Sequence, residues 1–137
     1  MQLKTLCALV ASTFALSACN KSEAPAEVQH DVATAQAEAQ RDVADARAEA
    51  TEDNADANKD VADAVADNDS EDVTDQARDA NETAAKGDSK VRIAQAEAAH
   101  KVATEKCEAL NGNSQKDCKD RADAELDQAK QTAKALR

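Results

Sequence analysis

The chemistry of this sequence centres on its four cysteines. Cys7 lies within a short apolar stretch near the N-terminus, and Cys19 directly follows that stretch. Cys107 and Cys118 lie near the C-terminus, with ten residues between them. A thiol can attack an electrophile, bind a metal or form a disulfide, and the surrounding residues decide among these roles.

The N-terminal residues are typical of a secretory signal. Lys4 precedes an apolar stretch over residues 5–16, which is shorter than the about 20 residues of a membrane-spanning helix. The stretch ends in Leu16-Ser17-Ala18-Cys19, which resembles the lipobox of bacterial lipoproteins. The resemblance implies that residues 1–18 are a signal peptide and that Cys19 carries the lipid.

The same resemblance implies a location in the cell envelope. In Gram-negative lipoproteins, an aspartate after the lipidated cysteine marks retention in the inner membrane, and here that position is Asn20. We therefore expect a lipid anchor in the outer membrane that faces the periplasm. Several acyl chains, at about 0.8 kcal/mol per buried CH₂, would make this anchor stable.

The composition of residues 19–137 limits the core and the partners. This part contains no aromatic residue, one isoleucine and three leucines, so alanine supplies most of its apolar surface. Its 28 acidic and 16 basic residues give a net charge of −12. Such acidity opposes binding to nucleic acid and anionic headgroups. Alanine favours helix, so we expect helical rods or disorder without an enclosed pocket for a small molecule.

Apolar spacing predicts a long first helix after a short tether. Residues 19–27 form the lipidated tether, and residues 28–66 form an acidic, Ala-rich helix with an apolar face at helical spacing. The 11-residue recurrence of Asp31-Val32 as Asp42-Val43 favours a nearly straight stripe, as in coiled coils. This segment resembles the 11-residue repeats of late-embryogenesis proteins.

Turn signals divide the remainder of the chain. The acidic turn over residues 67–70 predicts a break, and Gly87 predicts the end of a second helix over residues 70–86. Residues 89–136 are predicted to form an antiparallel helical hairpin with a turn at Gly112. The predicted fold is therefore all-α, with elongated helices that end in this hairpin.

Two apolar seams in the hairpin bring the C-terminal cysteines together. Folding the chain back at Gly112 places Cys107 opposite Cys118 and Ala103 opposite Ala122. In an oxidising compartment this arrangement favours a structural disulfide. A metal site or a redox-active dithiol are the alternatives, but further metal ligands are distant and the spacing is long for a redox pair. The segment 106–118 also resembles a two-cysteine segment of small, uncharacterised periplasmic proteins.

Two other patterns suggest weaker chemistry. His100 lies on the seam opposite Leu126 and Glu125, where a pH sensor or a simple hydrogen bond to Glu125 is conceivable. The acidic residues 67–72 resemble part of a calcium loop, but they lack its glycine and its final glutamate. We therefore expect a solvated turn, and we assign no metal, cofactor or catalytic residue.

These patterns favour a non-enzymatic envelope protein. We expect a lipid-anchored rod or spacer that binds a second copy or another envelope protein, with the hairpin at the end far from Cys19. The murein lipoprotein is a comparable rod, but its terminal lysine is replaced here by Leu136-Arg137. The alternative is an acidic, marginally folded stress protectant, which would gain helix only on drying.

Overall fold

The computed structural model describes residues 22–68 and 70–136. They form three helices, α1 over Pro25–Ala66, α2 over Ser70–Cys107 and α3 over Gly112–Lys134. No strand occurs within these two ranges. The all-α fold and the C-terminal hairpin predicted from the sequence are confirmed.

Helix α1 begins three residues earlier than the apolar spacing predicted. Pro25 occupies the start of the helix, where its fixed φ is favourable and the missing N–H is not needed. The apolar stripe of this long first helix faces α2, a partner that the sequence did not identify. Its buried members are Val28, Ala35, Ala39, Ala50 and Ala64.

Helix α2 is continuous through Gly87, so the predicted helix end at residue 86 and the new start at residue 89 are wrong. Gly87 and Ser89 are both buried. A Cβ atom built on Gly87 would lie 3.1 Å from the Cβ of Ala50. Glycine is therefore needed here for the close approach of α1, which offsets its poor helix propensity. Gly87, which predicted a helix end, is instead the residue at which α2 packs closely against α1.

The break between the first two helices lies where the acidic turn predicted it. Asn68 adopts a φ of 58°, in the left-handed region that asparagine tolerates. The chain reverses here, so α1 and α2 run antiparallel. Lys101 pairs with Glu38 and Lys90 pairs with Glu49, and both pairs fit one register of the two helices.

The three helices form an open layer with α2 in the middle. Helices α1 and α3 both pack on α2, and they make no contact with one another in the described chain. At 1.5 Å per residue, α1 is about 63 Å long, α2 about 57 Å and α3 about 35 Å. Helix α3 begins at Gly112, the residue at which the turn was predicted, with a φ of 56° at that glycine.

Candidate functional site

The predicted pairing of the C-terminal cysteines is confirmed. Cys107 and Cys118 form a disulfide with their Cα atoms 5.7 Å apart. Cys107 ends α2 and is fully buried, while Cys118 lies in the first turns of α3. The bond therefore fixes α3 to α2 at the end where their packing begins.

Glu108 connects this disulfide to the start of the described chain. Its carboxylate accepts a hydrogen bond from Gln115 at 2.6 Å and forms an ion pair with Lys119. Its backbone carbonyl accepts a hydrogen bond from the backbone N–H of Glu23 at 3.3 Å. We call Glu23, Glu108, Gln115, Lys119 and the disulfide the disulfide end.

Burial and neighbouring carboxylates disfavour the ionised form of Glu23. Its Oε2 atom is buried and has no hydrogen-bond partner. Desolvation raises the pKa of its carboxyl, and the charge of Glu108 raises that pKa further. At neutral pH the contact between Glu23 and Glu108 is therefore opposed by charge, and protonation of Glu23 would strengthen it.

The disulfide end lies beside the tether, which corrects the prediction that the hairpin is far from Cys19. The sequence left open whether the helices pack together or follow one another end to end, and in the structure α1 folds back along α2. Three residues lie between Cys19 and Glu23, so the four steps of chain from one to the other span about 14 Å at most. The far end of the molecule is instead the turn at residues 67–68, about 63 Å away along α1. Cys19 itself lies outside the described residues.

His100 occupies the predicted seam position but has a different partner. Its Nε2 atom lies 2.6 Å from Oδ1 of Asp123, and not against Glu125 as predicted. Asp123 lies two residues closer to the disulfide than Glu125 does, and its side chain is 65% exposed. This pair is solvent-accessible and lies on the surface of the α2–α3 hairpin.

The acidic turn and the histidines do not form a metal centre in the part of the chain that the structure describes. No group of three or more His, Cys, Asp or Glu side chains there has the geometry to hold a metal ion. Outside the predicted signal peptide, the cysteines are Cys19, the predicted lipid site, and the disulfide pair.

The ion pairs between helices that involve a lysine follow a single row on α2. The α2 members are Lys90, Glu97, Lys101 and Glu108, whose spacings of seven, four and seven residues place them on one side of the helix. We call this side of the layer the ion-paired face. Hydrogen bonding to Glu38 raises the pKa of Lys101, and the same contact lowers the pKa of Glu38.

The opposite side of the layer has a different character, and we call it the groove face. Between α1 and α2 it holds a groove of about 740 Å³. The groove is lined by small, amide and basic side chains: Gln36, Ala39, Gln40, Val43, Arg47, Ala98, Ala99, Val102, Ala103 and Lys106. A second groove on this face, between α2 and α3, is lined in part by Arg92, Gln95, Glu125 and Gln128.

Residues at the disulfide end were missed by reasoning from the sequence. Glu23 was assigned to the tether, and Glu108 was one acidic residue among many. Their meeting depends on the fold-back of α1, which a string of helices does not provide. The lengths of α1 and α2 match on either side of the turn, but the predicted end of the second helix at residue 86 concealed this match.

The comparisons identify no relative. No family model, curated protein or solved structure matches the chain significantly. Among the described residues, no helix is both long and apolar enough to cross a membrane.

Proposed function

We propose that this protein is a lipid-anchored, non-enzymatic rod of the bacterial envelope, attached through Cys19 and standing away from the outer membrane into the periplasm. The observation that carries the proposal is the shared position of the disulfide end and the chain segment that leads to Cys19. An anchor at that end leaves the full length of the α1–α2 hairpin free to project. The rod acts as a spacer and presents its faces to other envelope components.

The charge distribution supports this orientation. Residues 49–82, which surround the turn, carry 13 acidic and two basic residues. Residues 19–48 and 83–137, which together include the disulfide end, carry 15 acidic and 14 basic residues. An anionic bilayer surface repels the first set and is nearly neutral toward the second, so the turn points away from the membrane.

Replacement of Cys19 tests the anchor. The full chain with Cys19→Ala is expected to lose labelling by radioactive palmitate and to leave the membrane fraction. The matched control is Cys7→Ala, which removes a thiol from the signal peptide and should change neither result. If the Cys19→Ala chain still carries palmitate and still sediments with membranes, the proposed function is wrong.

A fluorescence experiment tests the orientation. A polarity-sensitive probe is attached to a cysteine at Ala109, near the disulfide end, or at Val65, near the turn; both side chains are exposed. In outer-membrane vesicles, a quencher in the lipid phase should quench the probe at residue 109 more strongly. Equal quenching at both positions would mean that the rod lies flat on the membrane.

A further inference from the structure

The end of the rod beside the tether carries exposed apolar side chains from two segments of the chain. In the register set by the Lys101–Glu38 ion pair, residue 110 in the α2–α3 turn lies level with residue 29 on α1. The start of α1 at Pro25 lies about 6 Å beyond that level, little more than one helical turn. We call five exposed residues of these two segments the tether-end patch: Ala24, Pro25, Ala26, Ala109 and Leu110.

Charged side chains are scarce around the α2–α3 turn. Residues 109–115 are the longest run without Asp, Glu, Lys or Arg between residues 19 and 137, in a sequence of which 33% is charged. At the adjoining disulfide end, the carboxylate of Glu108 is paired with Lys119, and burial raises the pKa of Glu23. The tether-end patch can therefore leave water with little dehydration of ionised groups, which is the costliest part of burying a protein surface.

The turn that carries Leu110 is fixed on both sides. The disulfide joins Cys107 to Cys118, and Gln115 donates a hydrogen bond to the carboxylate of Glu108 at 2.6 Å. The backbone N–H of Leu110 donates to the carbonyl of Cys107 at 3.0 Å. Leu110 is therefore exposed on an ordered turn, and a contact through its side chain sacrifices little backbone freedom.

The length of chain between Cys19 and α1 indicates what the tether-end patch meets. The four steps of chain from Cys19 to Glu23 span about 14 Å at most. The backbone N–H of Glu23 donates to the carbonyl of Glu108 at 3.3 Å, and Glu108 is two residues before Leu110. The headgroup region of a bilayer extends about 5–8 Å from the hydrocarbon core on each side. A lipid on Cys19 therefore brings the patch to the headgroups of the membrane that holds it.

The other exposed large apolar side chains of the described residues lie elsewhere. Val65 is beside the turn at the far end of α1, and Leu136 follows the far end of α3, which is about 35 Å long. Leu136 is 50% exposed and Leu110 is 40% exposed, so the two leucines differ mainly in position. Leu136 therefore provides a matched control for Leu110.

We propose that the tether-end patch contacts the phospholipid headgroups around the lipid anchor, with the side chain of Leu110 inserted between them. This inference rests on the proposed function, because the lipid on Cys19 brings the patch to the membrane. The contact is apolar, so zwitterionic phospholipid is sufficient for it. It gives the rod a second attachment beside the anchor, which limits pivoting about the tether and holds the rod upright.

Fluorescence on vesicles tests the contact. The lipidated chain carries a polarity-sensitive probe on Asn113→Cys, at an exposed residue at the start of α3. It is reconstituted in phosphatidylcholine vesicles that contain a lipid spin-labelled at the headgroup. We expect the emission of the probe to shift to the blue and to be strongly quenched. A lipid spin-labelled at the end of its acyl chain should quench far less, because the patch reaches the headgroups and not the centre of the bilayer.

Two substitutions separate contact from proximity. Leu110→Ser should lower the ratio of inserted to free turns about tenfold, and with it the quenching, because the largest apolar side chain leaves the contact. Leu136→Ser is its matched control and should change nothing. Ala26→Asp places a charge in the patch and should also reduce quenching, although an acidic residue in the first turn favours the helix. Its control is Ala37→Asp at an exposed position of the same helix. Circular dichroism confirms that each variant remains helical.

The outcomes separate this contact from its alternatives. Equal quenching in the parent chain, Leu110→Ser and Ala26→Asp would overturn the inference, because the anchor alone would then explain the proximity. A blue shift in detergent that grows with protein concentration would mean that the patch binds a second copy, and it would overturn the inference as well. Both results leave the anchor intact, as flotation with the vesicles and palmitate labelling show. A chain without palmitate would contradict the proposed function, and this inference would fall with it.

Discussion

Replacement of Gly87 by alanine measures how closely α1 and α2 must approach. A Cβ at residue 87 would lie 3.1 Å from the Cβ of Ala50 and 3.6 Å from its Cα. Both Ala50 atoms belong to or adjoin the backbone, so no side-chain rotation relieves the contact, and the helices must separate by a few tenths of an ångström. Such overpacking typically costs about 1–3 kcal/mol.

Helix propensity acts in the opposite direction. Alanine is more favourable than glycine in a helix interior by about 0.8–1.0 kcal/mol. We expect the packing cost to exceed this gain, so that Gly87→Ala lowers the free energy of unfolding by about 1 kcal/mol. Ala99→Gly, at an exposed position of the same helix, calibrates the propensity and should cost about 1 kcal/mol.

Urea denaturation followed by far-ultraviolet circular dichroism gives these free energies, and a double-mutant cycle isolates the contact. In the Gly87→Ala background, Ala50→Gly removes the opposing methyl group. We expect a coupling energy of about 1 kcal/mol between residues 50 and 87. If Gly87→Ala stabilises the protein by about 1 kcal/mol and the coupling stays below about 0.3 kcal/mol, then close approach does not explain this glycine.

Three further predictions concern the disulfide, the tether contact and the core stripe. Cys107→Ser with Cys118→Ser should lower the free energy of unfolding by about 3 kcal/mol, the chain-entropy estimate for so short a loop, and an unchanged urea midpoint would contradict this. Because the folded-state pKa of Glu23 is raised, its contact with the end of α2 should strengthen as the pH falls from 7 towards the ordinary carboxyl range. After division by the intrinsic, base-catalysed exchange rate, the protection factor of the amide of residue 23 should rise accordingly. Glu23→Gln should raise this protection factor already at pH 7 and make it independent of pH; equal pH dependence of the protection factor in both chains would refute the reasoning. Ala39→Glu should cost about 2 kcal/mol or more in unfolding free energy because residue 39 is buried, whereas Ala37→Glu on the exposed side should cost far less, and equal losses would place the wrong face of α1 against α2.

The apolar spacing was sufficient to predict the helices and the cysteine pair. The seams on either side of Gly112 fixed the register in which Cys107 meets Cys118, because residues three and four apart share one helix face. The stripe from Val28 to Ala64 likewise identified the face of α1 that packs on α2.

The fold-back of α1 and the continuity of α2 could not be predicted in the same way. A glycine within a helical sequence is compatible both with the end of a helix and with close packing of two helices. At Gly87 only the position of Ala50 on the neighbouring helix shows that close packing is the reason. The partners of an alanine stripe are also ambiguous, since alanine packs against almost any small surface. Glu23 lies beside Glu108 only because the alanine stripe of α1 packs against α2, so this contact could not be predicted from the sequence.

The open layer has a consequence for how the chain folds. Each helix packs only against its neighbour in sequence, because α1 and α3 do not touch within the described residues. Such a topology requires no long-range threading, and each hairpin closes across a short turn at Asn68 or Gly112. The α1–α2 hairpin is complete once residue 107 is available, before α3 has to be placed. A chain that emerges N-terminus first can therefore form the α1–α2 hairpin before α3 packs on α2. Formation of the disulfide is then the last step, and it links α3 covalently to α2.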